Sequence, residues 1–255
     1  MKPGPAGMRG LTPADMLDAW EACLDRSPLE RALVLLASLL PEIPADTLPE
    51  LSIGQRDRLL MELRRYLFGS QLVNTAICPT CGERVEWESR IDDFLASVNE
   101  DRKDQAERFS LQNGEYLLSF RLPNSADIAA VMDNTEKAEI QQYLLLARCI
   151  LDVEHGGEKL PRDKVPDHVF EELAAHISRE DPLADIRIEL SCPHCSHGWE
   201  VLFDIGSFLW QELNSWAEGM LLSIHRLARG YGWSEQEILA LSPVRRQLYL
   251  GMLGE

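Results

Sequence analysis

Apolar positions recur at helical spacing through the first part of the chain. Thr12 and Pro13 read as a cap and first helical position, and Met16, Leu17, Trp20, Cys23 and Leu24 follow on one stripe, predicting an amphipathic helix. Ser27, Pro28 and Glu30 repeat the start pattern as a capping box, and the leucine-rich run over residues 32–40 stops at Pro41. Residues 41–49 read as a linker. Ser52 with Gln55 opens another helix, expected over residues 53–68, with Leu59, Leu60, Leu63, Leu67 and Phe68 on its apolar face and Gly69 past its end.

The period then changes to two. Residues 72–77 lead into Cys78-Pro-Thr-Cys81-Gly, and Val85-Glu-Trp87-Glu leads out, which predicts a hairpin with cysteines at its tip. A charged stretch over residues 99–108 precedes a second hairpin, turned by Asn113-Gly114 between residues 109–111 and 116–122. Helices are expected over residues 126–132, 136–151 and 169–177, with residues 155–166 as a surface loop. A third hairpin follows, from residues 186–190 through Cys192-Pro-His-Cys195 to residues 199–203. Residues 205–227 carry too many apolar positions for a thin stripe and predict a largely buried helix, ended by Gly230-Tyr-Gly-Trp233. Ser234 with Glu237, and Ser242 with Pro243, start two short helices.

The expected fold is α+β, mostly helical with three β-hairpins. Two of the hairpins carry Cys-x-x-Cys zinc knuckles that together form a split zinc-ribbon-like site. Three regions follow: a helical N-terminal extension over residues 1–50, an α+β body with both knuckles over residues 51–204, and a helical C-terminal segment over residues 205–255.

Composition narrows the function. Of the 255 residues, 45% are apolar and 26% charged, enough for a core and contrary to disorder as the main state. The net charge of -17 disfavours phosphate backbones and anionic lipid as partners. No apolar run approaches the roughly 18 residues of a bilayer span, so no membrane partner is expected. The opening MKPGPAGMRG has no apolar stretch of a secretory leader and reads as a loose tail, which suggests a reducing, cytoplasmic setting.

Four of the six cysteines, Cys78, Cys81, Cys192 and Cys195, form two Cys-x-x-Cys pairs. Two thiolates separated by two residues can chelate one ion in a tight turn, and a tetrahedral zinc needs two such pairs. Because 110 residues lie between the pairs, a shared structural Zn2+ requires the hairpins to meet in space. The rival is redox chemistry, in which the first cysteine of a pair heads a helix; here strands flank both pairs. His194 and His197 are alternative ligands that fit better as neighbours of the site. Cys23, Cys149 and the tryptophans other than Trp20 read as core. No metalloprotease, phosphate-loop or nucleophile-elbow pattern occurs, so an enzyme is not expected.

Charge is segregated along the chain. Residues 220–255 hold four arginines against three glutamates, so the preceding 219 residues carry -18. Those arginines either pair with acids of the N-terminal half or dock on a partner. The candidate partner-binding set is Arg226, Arg229, Tyr231, Trp233, Arg245, Arg246 and Tyr249.

Several spaced segments share one resemblance: Leu51-Ser-Ile-Gly-Gln-Arg-Asp-Arg-Leu-Leu60, the two Cys-Pro-x-Cys pairs, Phe120-Arg-Leu-Pro-Asn-Ser-Ala-Asp127, Phe208-Leu-Trp210 and the tail from His225 to Tyr249. They resemble baseplate hub assembly chaperones of contractile phage tails and related bacterial contractile injection systems. The resemblance covers about residues 50–253 and leaves the N-terminal extension outside it. It implies a non-enzymatic assembly factor or minor baseplate component that binds hub or spike proteins in the cytoplasm of the producing cell, and it leaves retention in the finished particle open. The alternative is a zinc-ribbon adaptor for nucleic acid or the transcription machinery, which would need a basic stripe beside the knuckles. Glu83, Glu86, Glu88, Asp92, Asp93, Glu200 and Asp204 outnumber Arg84, Arg90 and Arg187 there, favouring protein contacts.

Overall fold

A computed structural model describes residues 10–96, 108–132 and 137–253. The loose tail over residues 1–9, the charged stretch over residues 99–107 and the expected helix start at Glu136 lie outside them. In chain order the first elements are α1 (Pro13–Cys23), α2 (Pro28–Leu39), α3 (Ile53–Phe68), β1 (Gln71–Ile77), β2 (Arg84–Arg90) and α4 (Ile91–Ala96). There follow β3 (Phe109–Asn113), β4 (Tyr116–Phe120), α5 (Ser125–Met132), α6 (Ala138–Cys149), β5 (Ile150–His155), β6 (Glu158–Lys159) and α7 (Asp167–Glu180). The last are β7 (Ile186–Ser191), β8 (Gly198–Phe203), α8 (Ile205–Tyr231), α9 (Glu235–Leu239) and α10 (Pro243–Met252). The mixed class, helical for the larger part with antiparallel strands, is as expected.

The described residues form two compact units, one from the stretches up to Glu42 and from Gly206 onward, the other Ile43–Ile205. In the first unit the helix starts follow the capping chemistry. Thr12, Ser27 and Ser234 each accept from the amide three residues on, and the acid at that position accepts in return. Leu17 of α1 packs with Ala217, Met220, Ile224 and Leu227 of α8, Ile238 of α9 and Leu250 of α10. Trp20 donates its indole N–H to Asn214 Oδ1 at 2.9 Å, and the Arg31 guanidinium lies 4.4 Å from the Trp210 ring centroid.

In the second unit β3, β4, β5 and β6 make one antiparallel sheet in that order. Leu111, Leu118, Phe120, Ile150 and Val153 from the sheet pack with Val169, Phe170, Leu173 and Ile177 of α7. Each fully buried side chain of this size contributes about 1.5–3 kcal/mol. The hairpins β1–β2 and β7–β8 are separate two-stranded ribbons.

The second expected hairpin is thus part of a larger sheet, and two local readings are corrected. The helix expected over residues 136–151 ends at Cys149, and the expected surface loop contains β6 after a turn in which Gly156 and Gly157 have φ of 60° and 86°. The first difference arises because Leu146, Cys149 and Ile150, all buried, keep helical spacing past the helix end. Ile150 nevertheless pairs with Phe120 and Asp152 with Ser119, a β-bulge at Leu151 that places both ends of this stretch in β5.

Candidate metal centre

Both cysteine pairs sit on the same turn. Cys78 N–H donates to Glu83 O at 2.8 Å and Gly82 N–H to Cys78 O at 3.0 Å. In the second ribbon Cys192 N–H donates to His197 O at 2.9 Å and Ser196 N–H to Cys192 O at 2.9 Å. The fourth residue after each leading cysteine is left-handed: Gly82 at φ 75° and Ser196 at φ 59°. Glycine meets that demand without strain in the first turn, whereas serine accepts it in the second.

The ribbons bring these turns face to face. Cys78 Sγ lies 3.7 Å from Cys195 Sγ, and Cys81 Sγ lies 3.6 Å from Cys192 Sγ, so each leading cysteine opposes the trailing cysteine of the other ribbon. All four sulfurs fall within 4.8 Å of one another. Tetrahedral zinc with Zn–S near 2.3 Å requires sulfurs about 3.8 Å apart, whereas a disulfide requires about 2.05 Å. The cluster therefore has the spacing of a four-thiolate metal site. Cys78 and Cys192 are buried and pack with Val85 and half-buried Trp199, while Cys81 and Cys195 lie toward solvent. His197 stacks on Trp199 with ring centroids 6.2 Å apart.

Electrostatics of the bare thiols point the same way. Desolvation raises the Cys78 thiol, but the backbone amides of Cys81 and Thr80 outweigh it and draw it down to about 7. The amide of Glu83 pulls on Cys81, yet burial and the three neighbouring thiols push that group up to about 12. The Cys78 thiolate forms readily, and a bound cation would offset the effects that hold the Cys81 thiol up.

The arginines beside the ribbons are already engaged. Arg84 meets Glu86 at 3.0 Å, Arg90 meets Asp92 at 3.3 Å, and Arg187 meets Asp185 at 3.0 Å and Glu200 at 3.7 Å.

Two of the sequence segments singled out above meet in a buried polar junction. Ile53 N–H donates to Pro123 O at 3.0 Å, Ser52 bridges Asn124, and Arg56 donates to Ser125 Oγ at 3.2 Å. Asp127 is buried, takes two hydrogen bonds from Arg121 and one from Arg148, and shares a capping box with Asn124. Burial raises this carboxyl, but the Arg121 contact and the Asn124 amide outweigh it, leaving it below the usual range. Burial instead holds Asp57 and Asp181 above that range. Sequence reasoning did not single out these carboxylates, although Asn124 with Asp127 is itself a capping-box spelling.

Residues 33–210 match the family described as T4 bacteriophage base plate protein. The chain belongs to that family. No curated protein and no solved structure matches it. The base plate match takes in both cysteine pairs and both segments of the polar junction, begins inside α2 and ends inside α8. The expected extension over residues 1–50 is therefore partly within the family, and the tail beyond residue 210 lies past the matched segment.

In that tail Tyr231, Trp233 and Tyr249 form one aromatic cluster. Tyr231 stacks on Trp233 with centroids 4.5 Å apart, and Tyr249 meets both edge-on at 5.7 and 5.0 Å. Trp233 and Tyr249 pack on the unit's core, and Tyr231 is exposed. Arg226, Arg229 and Arg245 are exposed. Arg246 is only 7% exposed, its Nη1 has no hydrogen-bond partner, and burial lowers its pKa.

Proposed function

We propose that the protein is a non-enzymatic assembly factor or minor component of the baseplate in a contractile phage-tail-like injection system, binding hub or spike proteins. Membership of the base plate family over residues 33–210 is the observation that carries this reading. A baseplate is a mechanical assembly, so its members act through the surfaces they present. The earlier resemblance to hub assembly chaperones supplies the narrower role, exercised in the cytoplasm of the producing cell.

Cys78, Cys81, Cys192 and Cys195 hold a structural Zn2+ in this reading, supported by the spacing of their sulfurs. The ion neutralises thiolates that otherwise repel one another and ties the ribbons into one rigid body. The residues around it do the remaining work: backbone amides stabilise the leading thiolate, and Val85 with Trp199 keeps water from the inner side. Arg226, Arg229, Tyr231, Trp233, Arg245, Arg246 and Tyr249 belong to the partner-binding segment.

Two rivals are weaker. A nucleic-acid adaptor needs free bases near the knuckles, yet Arg84, Arg90 and Arg187 are each tied to acids in a chain of charge -17. A thiol oxidoreductase needs its leading cysteine at a helix N-terminus, whereas both pairs sit between strands. The deciding experiment is native mass spectrometry of the full chain with purified hub and spike subunits of the same particle. The expected result is a discrete complex that retains zinc; failure to form one with any subunit overturns the assembly role.

A further inference from the structure

Helix α10 carries an apolar face that its own unit leaves bare. Val244, Leu248 and Met252 stand at i, i+4 and i+8 and are 69%, 59% and 62% exposed. Gly251 lies on the same side, with open space where a side chain would project. The opposite side packs on the core through Leu250, Tyr249 and Leu253. The stripe is therefore not what anchors the helix.

Charge restricts what can cover it. α10 contains two arginines and no acid. Arg245 borders the stripe and is exposed, as are Arg226 and Arg229 on α8. Among the described residues none of the three makes an ion pair, in a chain with 42 acids to choose from. Elsewhere Arg58, Arg65 and Arg148 each reach a carboxylate. Pairing α10 with the α10 of a second copy would offer Arg245 no acid on either helix, so its charge would stay uncompensated there.

We infer that α10 is a docking face for an amphipathic helix of a partner protein, apolar along its centre and edged by carboxylates that meet Arg245. This rests on the assembly role proposed above and gives that role a contact surface. Small and flexible side chains, Gly251 and Met252, let a partner helix approach closely and adjust its packing.

The test titrates the purified full-length chain with purified hub and spike subunits by isothermal titration calorimetry at low and high salt. Wild type is compared with Leu248→Glu, Arg245→Glu and the milder Val244→Ser, with circular dichroism as the check on folding. Leu248→Glu is expected to weaken binding roughly tenfold or more, and Arg245→Glu to weaken it several-fold while flattening its salt dependence. Wild-type binding that all three variants leave unchanged overturns the docking face and leaves the assembly role standing. Loss confined to Leu248→Glu and Val244→Ser, with salt-insensitive binding, overturns the acidic edge. A wild-type dimer in sedimentation that Leu248→Glu splits gives the stripe to a second copy and overturns the partner helix. Absence of any wild-type complex overturns both readings.

Discussion

The amide of Gly54, in the first turn of α3, donates to the buried carboxylate of Asp181 at 2.9 Å, across 127 residues of chain. A Cβ at position 54 would overlap that carboxylate, so the contact admits no side chain. Gly54→Ala must displace Asp181 from its donor while keeping it buried. Overpacking and the lost hydrogen bond together should cost about 3 kcal/mol, measured as a lower urea midpoint at unchanged slope.

Asp127 is the hub of the adjoining polar junction. Asp127→Ala leaves Arg121 and Arg148 without their common partner, and because both reach solvent in part they can rehydrate. The expected loss is about 3 kcal/mol, at the low end for a broken buried pair. The carboxyl is held below its ordinary value, so its contribution is present above pH 3.8 and disappears as acid takes the pH through the lowered folded value. Acid unfolding curves of wild type and variant should therefore converge at low pH.

Asp57 has the opposite sign. Burial, against the pull of Arg56, raises its pKa above 3.8, so the folded chain binds more protons than the unfolded one between those values and loses stability as pH rises through them. Asp57→Asn keeps an oxygen acceptor for Arg56 and removes the charge. Its unfolding free energy relative to wild type should climb with pH across that window and then level off at or above zero, a profile that urea titrations between pH 4 and 8 can follow.

Much of this arrangement is written locally. The capping boxes at Ser27, Ser52 and Ser234 fall where side-chain chemistry dictates, and each opens the helix it predicts. The meeting of the cysteine pairs is legible too, since one pair alone cannot supply the four ligands of a tetrahedral site. What local pattern does not carry is pairing decided at a distance. The first two residues of β5 read as helix because Ile150 continues the spacing of Leu146 and Cys149, and only the edge of β4 makes them strand. The approach of Trp20 to Asn214, and of Asp181 to Gly54, likewise depends on packing that no short window contains.

Ser196 holds the left-handed position that glycine occupies in the matching turn. Ser196→Gly should stabilise the protein by about 1 kcal/mol without altering metal content, as read from thermal unfolding and elemental analysis side by side.

The sulfur cluster makes the sharpest prediction about metal. Cys192→Ser should reduce bound zinc from a full site to a fraction, and a strong chelator should lower the wild-type melting temperature while leaving the variant's nearly unmoved. Zinc, and not magnesium, should restore it, because thiolates select the softer ion. Apparent structural-zinc energies of about 10 kcal/mol make the shift large.

The meeting of Cys78 and Val85 with Cys192 and Trp199 also imposes an order on biosynthesis. Once Cys81 is made, 110 residues are still to be added before Cys192. At about 5–20 residues per second that interval lasts on the order of ten seconds, in which the first cysteine pair stands without its counterpart. Whatever shields it during that wait, its permanent cover is encoded far downstream in the same message.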